Sequence, residues 1–242
     1  MEPQENDLSV NALVFDSLAF MRANAKSFRK YMFLPLVFSI TSLFLAQVPY
    51  IGLAASTVLN SLALALIGVS ATRFYIFGTT DAVAEGANRA FARFFFLTFV
   101  VTALAHGAEV FQFLPSEMQG LVFMWMVLMI WVNLRLCLAF PALAMEHRGS
   151  IWDVARGSLS WTNGNLLKIV GSFIICYSPM IFFTFMMLQV SGAKSPPEEP
   201  DFWASLGPLI LSDVLIIFSM MWSSLVLAKL YKKVVMDQNP SI

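Results

Sequence analysis

Charge is scarce in this chain: 12% of its 242 residues are Asp, Glu, Lys or Arg, about half the share of a soluble domain. The 15 basic residues match 15 acidic ones and never form a run, so a nucleic-acid surface has no electrostatic basis. Only two cysteines occur. Cys137 and Cys176 lie in apolar segments far from any Cys-x-x-Cys or Cys/His spacing, which reads as packing rather than a disulfide or metal site. Gly-x-Ser-x-Gly, His-Glu-x-x-His and Gly-x-Gly-x-x-Gly are absent. Lys194-Ser195 mimics the end of a phosphate-binding loop, but Leu188 and Ala193 stand where its glycines belong. No enzymatic activity, cofactor or metal is therefore expected.

What is abundant is hydrocarbon. Hydrophobic residues make up 58% of the chain and the mean hydropathy is +0.73, so lipid is the solvent this sequence needs. A bilayer core of ~30 Å takes ~20 residues of helix. Six runs qualify: Tyr31 to Val48, Ile51 to Phe77, Phe94 to Leu114, Gly120 to Met145, Lys168 to Val190 and Ser205 to Leu230. Pro49, Pro115-Ser116-Glu117 and Ser195 to Pro200 mark breaks between them. About thirty polar or amphipathic residues precede the first run, so it is expected to stay in the mature protein rather than act as a cleaved signal. Glu2 and Asn239 stand where myristoylation needs glycine and prenylation needs cysteine, so no lipid anchor is expected.

Thirteen of the 15 Lys and Arg residues fall before the first span, or between or at the adjoining ends of the second and third and of the fourth and fifth, or at or beyond the end of the sixth. Positive charge beside span ends stays in the cytoplasm, which predicts a bacterial inner-membrane protein with both termini cytoplasmic.

The segments that precede alternate spans are alike. Ser9 to Asn24 aligns with Ser150 to Asn165, keeping two serines, a leucine, an aromatic residue and the final asparagine, and Thr80 opens a weaker third copy. Starts 71 and 70 residues apart predict an all-α, single integral membrane domain of three units, about 9–78, 79–148 and 149–242. Each unit is an interfacial helix followed by a helical hairpin. Ser9 and Ser150 are the expected N-caps, with Asp153 completing a variant capping box. Val10, Leu13, Val14, Phe15 and Leu18 form an apolar side expected to rest on the membrane surface.

Within the spans, Gly52, Ser56, Asn60, Gly68 and Thr72 form an i, i+4 stripe, interrupted only by Leu64, that favours close helix approach. Trp125, Trp131, Trp203, Trp222, Tyr50 and Tyr231 read as interface anchors or packing residues. The intramembrane ionisable residues His106, Glu109, Arg135 and Asp213 are the candidates for a polar site. Counting along the helices puts His106, Glu109 and Asp213 in the outer half of the bilayer and Arg135 ~10 Å deeper. The first three are expected to cluster if the third and sixth spans adjoin.

Pro141-Ala-Leu-Ala-Met-Glu146, followed by Ser150, Ala155, Ser158-Leu159 and Trp161-Thr162-x-x-Asn165, resembles the YciC-type bacterial inner-membrane proteins. It also resembles the related membrane domain attached to some glycerophosphodiester phosphodiesterases. The likeness continues more loosely through Ala82 to Leu104 and the final Lys229-Leu230-Tyr231. It implies an all-helical inner-membrane fold and no particular chemistry. The hydrolase domain is missing, and His147-Arg148 is not followed by Glu-x-Asn, so phosphodiesterase activity does not carry over.

The expected function is thus a non-enzymatic role organising, assembling or supporting the envelope or a membrane complex. Membrane lipids and other membrane proteins are the expected partners. The alternative is a small-solute or ion transporter whose path is lined by the intramembrane polar residues.

Overall fold

Hydrocarbon offers no partner to backbone N–H and C=O groups, so a chain this apolar must satisfy them within itself, which a helix does. The computed structural model describes residues 9–48, 51–78, 87–105, 119–146, 149–192 and 202–237, and no strand occurs among them. Its helices are α1 (Val10–Ala23), α2 (Ala25–Leu45), α3 (Gly52–Phe77), α4 (Ala87–Ala105), α5 (Gln119–Leu136), α6 (Ala139–Ala144), α7 (Ile151–Trp161), α8 (Leu166–Gly192) and α9 (Phe202–Tyr231). Among the described residues α2, α3, α4, α8 and α9 are each long and apolar enough to cross a membrane, and α5 is a shorter apolar helix. The chain is an all-α polytopic membrane protein.

Helix α3 sits at the middle, packed by α2, α4 and α9, while α9 also packs against α8 and α1. Twelve of the 26 residues of α3 are Gly, Ala, Ser or Thr, which lets neighbouring backbones come close. Its end is set by Gly78, whose φ of 74° is left-handed and whose N–H reaches the Phe74 carbonyl at 3.0 Å. At that end of the bundle, rings from three helices interlock. Phe28 and Phe74 meet edge-on with centroids 5.3 Å apart, and Phe20 meets Tyr75 at 5.1 Å.

Two short helices lie at this same end. Ser9 caps α1 by accepting from the Ala12 N–H, and Ser150 and Asp153 cap each other's backbone at the start of α7. The apolar side of α1 does not rest on lipid as the pattern predicts. Leu13 and Val14 are fully buried and α1 packs on α8 and α9, leaving Phe15 outward. The reason is hydrogen bonding as well as burial: Trp222 Nε1 donates to the Val14 carbonyl at 3.0 Å, and Lys229 Nζ donates to the Ala12 carbonyl at 2.8 Å. Tyr231 and Trp222 are buried, so these two aromatics are packing residues rather than interface anchors.

The fourth apolar run also differs from its expected extent. The helix stops at Leu136, turns at Cys137 and Leu138, and resumes as α6. Pro141 has no N–H to give the Cys137 carbonyl, and its ring crowds that oxygen, which favours a break here, although α2, α8 and α9 each continue through a proline. The opening of the third repeat copy, through residue 86, lies outside the described residues, and the rest of it is the start of α4.

Candidate functional site

Ser39, Ser42, Asn60 and Asp213 meet toward the end of the bundle away from α1 and α7. Asp213 lies 18 residues before Tyr231, ~27 Å along α9, and is 8% exposed. Its Oδ2 accepts from the Ser39 hydroxyl of α2 at 2.9 Å. One turn on, the Ser42 hydroxyl lies 2.7 Å from the Ser39 carbonyl and 2.9 Å from Asn60 Oδ1 of α3, sharing its proton between two acceptors. Three helices are thus joined by side-chain hydrogen bonds. Ser39 and Ser42 escaped the sequence reading, although two hydroxyls three apart in an apolar run are a signal. His106 and Glu109, expected to cluster with Asp213, lie outside the described residues.

Arg135 belongs to a different structure at the opposite end. Its Nη1 donates to Asn163 Oδ1 at 2.8 Å, its guanidinium stands 5.9 Å from the Trp131 ring, and its carbonyl accepts from the buried Ser158 hydroxyl at 2.8 Å. The Thr162 hydroxyl in turn donates to the Ser158 carbonyl at 2.9 Å, and the Asn165 carbonyl accepts from the Ile169 N–H to start α8. With Pro141 buried in α6, the residues that carried the resemblance fasten the end of α5 to the start of α8. Glu146 stands beside them with a left-handed φ of 56° and a buried Oε1 that has no hydrogen-bond partner. Arg73, buried on α3, donates to the Ala144 carbonyl at 3.1 Å, and Arg93 of α4 to the Gly149 carbonyl at 2.7 Å. These two arginines are read from sequence only as cytoplasmic charge, yet they tie α3 and α4 to this knot. The Asp153 carboxyl on α7 is held below the usual carboxylate range, first by the Ser150 side chain and then by the Ser150 backbone N–H.

The small-residue stripe of α3 divides between two neighbours. Successive i+4 positions drift by ~40° on a 3.6-residue helix, so Gly68 points ~160° from Gly52. A Cβ on Gly52 would strike the Leu45 and Ala46 carbonyls at the end of α2, whereas one on Gly68 would strike the Phe94 ring of α4. Ser56 is buried and donates to the Leu53 carbonyl of its own helix.

Between α4, α5, α8 and α9 lies a cavity of about 570 Å3. Its walls include Phe94, Val101, Met129, Phe173, Met220 and Leu227, and no charged side chain lines it among the described residues. Met126 and Ile130 of α5, both more than half exposed, also line it, so it opens sideways toward hydrocarbon. A dry void of this size would cost on the order of 10 kcal/mol at roughly 24 cal/mol per Å3, comparable to a whole folding free energy. An apolar cavity open to a bilayer is instead filled from the bilayer. Its size falls within the roughly 300–1,000 Å3 of small-molecule sites.

The fold is that of an all-helical polytopic membrane protein in which interior polar groups join helices and the described cavity is lined mainly by apolar side chains, with Thr98, Thr102, Asn133, Tyr177, Ser223 and Ser224 among them. No family model, no curated protein and no solved structure matches the chain.

Proposed function

We propose that this chain is a non-enzymatic integral protein of a bacterial inner membrane that organises, assembles or supports the envelope or a membrane complex. The observation that carries this reading is the use made of polar side chains within the spans. Ser39 bonds Asp213, Ser42 approaches Asn60, and Trp222 bonds Val14, each a link between helices. In a solute path such groups would face water. The resemblance of Pro141 to Asn165 to the YciC-type proteins is in keeping with the inner-membrane placement and carries no particular role.

In this proposal the chain crosses six times, with α5 as the fourth crossing and both ends in the cytoplasm. The 18 residues of α5 reach ~27 Å, close to the ~30 Å of a hydrocarbon core. Two of the three repeat units find support in the matched serine caps of α1 and α7 and in the buried Ser17 and Ser158 that follow them at equal spacing. Membrane lipids and other membrane proteins are its partners, and outward-facing Phe15 and Trp152 on the short helices offer them apolar contact.

Gentle purification from native membranes tests the role: a stoichiometric protein partner is expected, and its repeated absence contradicts it. A periplasm-active reporter fused after Ile242 should stay silent. The transporter alternative keeps one supporting observation, the buried carboxylate of Asp213 inside a span.

A further inference from the structure

Arg135 carries an uncompensated charge at the edge of the bilayer. It is the next-to-last residue of α5, whose 18 residues reach ~27 Å, so its guanidinium stands where the ~30 Å hydrocarbon core gives way to headgroups. Nη1 gives one N–H to Asn163 Oδ1 at 2.8 Å in a bond that lies at the protein surface, while Nε is buried. A guest therefore meets the remaining N–H groups of the two terminal nitrogens, for which no protein acceptor occurs among the described residues. Asn163 is neutral, and no carboxylate among the described residues pairs with Arg135.

Two features beside it point to the kind of anion that fits. Asn163 fixes the guanidinium next to the start of α8, where the first intrahelical bond runs from the Ile169 N–H to the Asn165 carbonyl. The N–H groups of Leu166, Leu167 and Lys168 stand outside that ladder at the positive end of the α8 dipole, and Lys168 adds a second cation in the same turn. The other feature is apolar. The Trp131 ring, 52% exposed, lies 5.9 Å from the guanidinium one turn toward the bilayer centre, and Leu167 is 86% exposed. A free inorganic anion has no use for these two side chains, whereas a lipid lays its chains on them.

From this juxtaposition we infer that the corner between the end of α5 and the start of α8 binds the phosphodiester of one anionic phospholipid, with its chains along Trp131 and Leu167. A guanidinium presents its N–H groups as a fork that matches two phosphate oxygens, and basic pockets between membrane helices take such headgroups. A zwitterionic lipid would bring an ammonium to a place with no described carboxylate to receive it. The inference rests on the chain crossing a membrane and not on the organising role proposed above, so either can fail alone.

The test uses the full-length protein in detergent micelles doped with dioleoylphosphatidylglycerol or dioleoylphosphatidylcholine, with retained lipid counted by native mass spectrometry. One phosphatidylglycerol per chain should be held more tightly than phosphatidylcholine; equal retention of the two overturns the inference. Arg135→Ala should lower the phosphatidylglycerol affinity about tenfold, the scale of hydrogen bonds to a charged group, and leave phosphatidylcholine unchanged. Arg29→Ala removes an exposed cation of α2 at the same end of the bundle and should have no effect. An equal loss in both variants would mean diffuse attraction to a basic surface and overturns the site. Should Arg135→Ala fail to accumulate, Arg135→Lys decides, since it keeps the charge without the fork: affinity about threefold lower is expected, and unchanged affinity overturns the inference. Inorganic phosphate should displace the lipid no more than chloride at equal ionic strength; selective displacement would assign the site to free phosphate and overturn the lipid.

Discussion

Helices α3 and α5 are both apolar rods, yet one lies at the centre of the bundle and the other at its edge. The difference is side-chain size. From Gly52 to Thr72 every turn of α3 carries Gly, Ala, Ser or Thr, and half of its most apolar stretch is buried. From Leu121 to Leu136, α5 has no such residue, and among its side chains only Met129 is buried. Hydropathy selects the bilayer as solvent for both helices; small residues and interhelical hydrogen bonds then choose the neighbours. Large side chains hold α5 away from α9, and the cavity is the space that remains.

The strongest way to break this contrast is at the centre. Trp222→Ala removes a buried ring from α9 together with the donor to Val14, and should destabilise by about 3–5 kcal/mol and release α1. Denaturant unfolding and proteolysis at α1 measure both effects. Gly52→Val drives a side chain into the carbonyls at the end of α2 and should cost about 1–3 kcal/mol, read from the same unfolding curve. A double-mutant cycle with Ser39→Ala and Asp213→Asn should show a coupling of about 1 kcal/mol, the scale of interhelical polar bonds in membranes. Zero coupling would remove that bond from the central assembly.

A smaller effect belongs to the short helices. Ser150→Ala should cost about 1 kcal/mol of local α7 stability, and the titration of Asp153 reports the same cap. Because the Asp153 carboxyl is lowered in the folded chain, its contribution is complete above the unfolded value near 4 and is lost as pH falls through the folded value. The 13C shift of its carboxyl should therefore titrate below pH 4, and Ser150→Ala should move the midpoint up toward the usual range. The least effect is expected at the edge, where Phe123→Ala on the lipid face of α5 should change stability by no more than about 0.5 kcal/mol. A large loss there would mean that α5 is held as firmly as α3.

Much of this was readable along the chain and some was not, for physical reasons. Apolar runs located the described spans to within a few residues at most ends, and Ser9 and Ser150 announced the caps of α1 and α7. The break before Pro141 was also written in the sequence, but the long apolar run around it hid the turn. The partner of Asp213 was not readable, because Ser39 lies 174 positions away and only the packing of α2 on α9 brings them together. Nor could the amphipathic pattern of α1 reveal whether its apolar side meets lipid or protein, since both are equally apolar.

Polar groups in the spans join helices, and the described cavity opens between apolar walls. Whether lipid or water meets those walls is read by nitroxide accessibility, with a spin label on Val101→Cys in a Cys137→Ala, Cys176→Ala background reconstituted in lipid. Strong relaxation by dissolved oxygen and little by a water-soluble nickel chelate are expected. The reverse ranking would place water in the cavity and contradict that expectation, favouring a solute path.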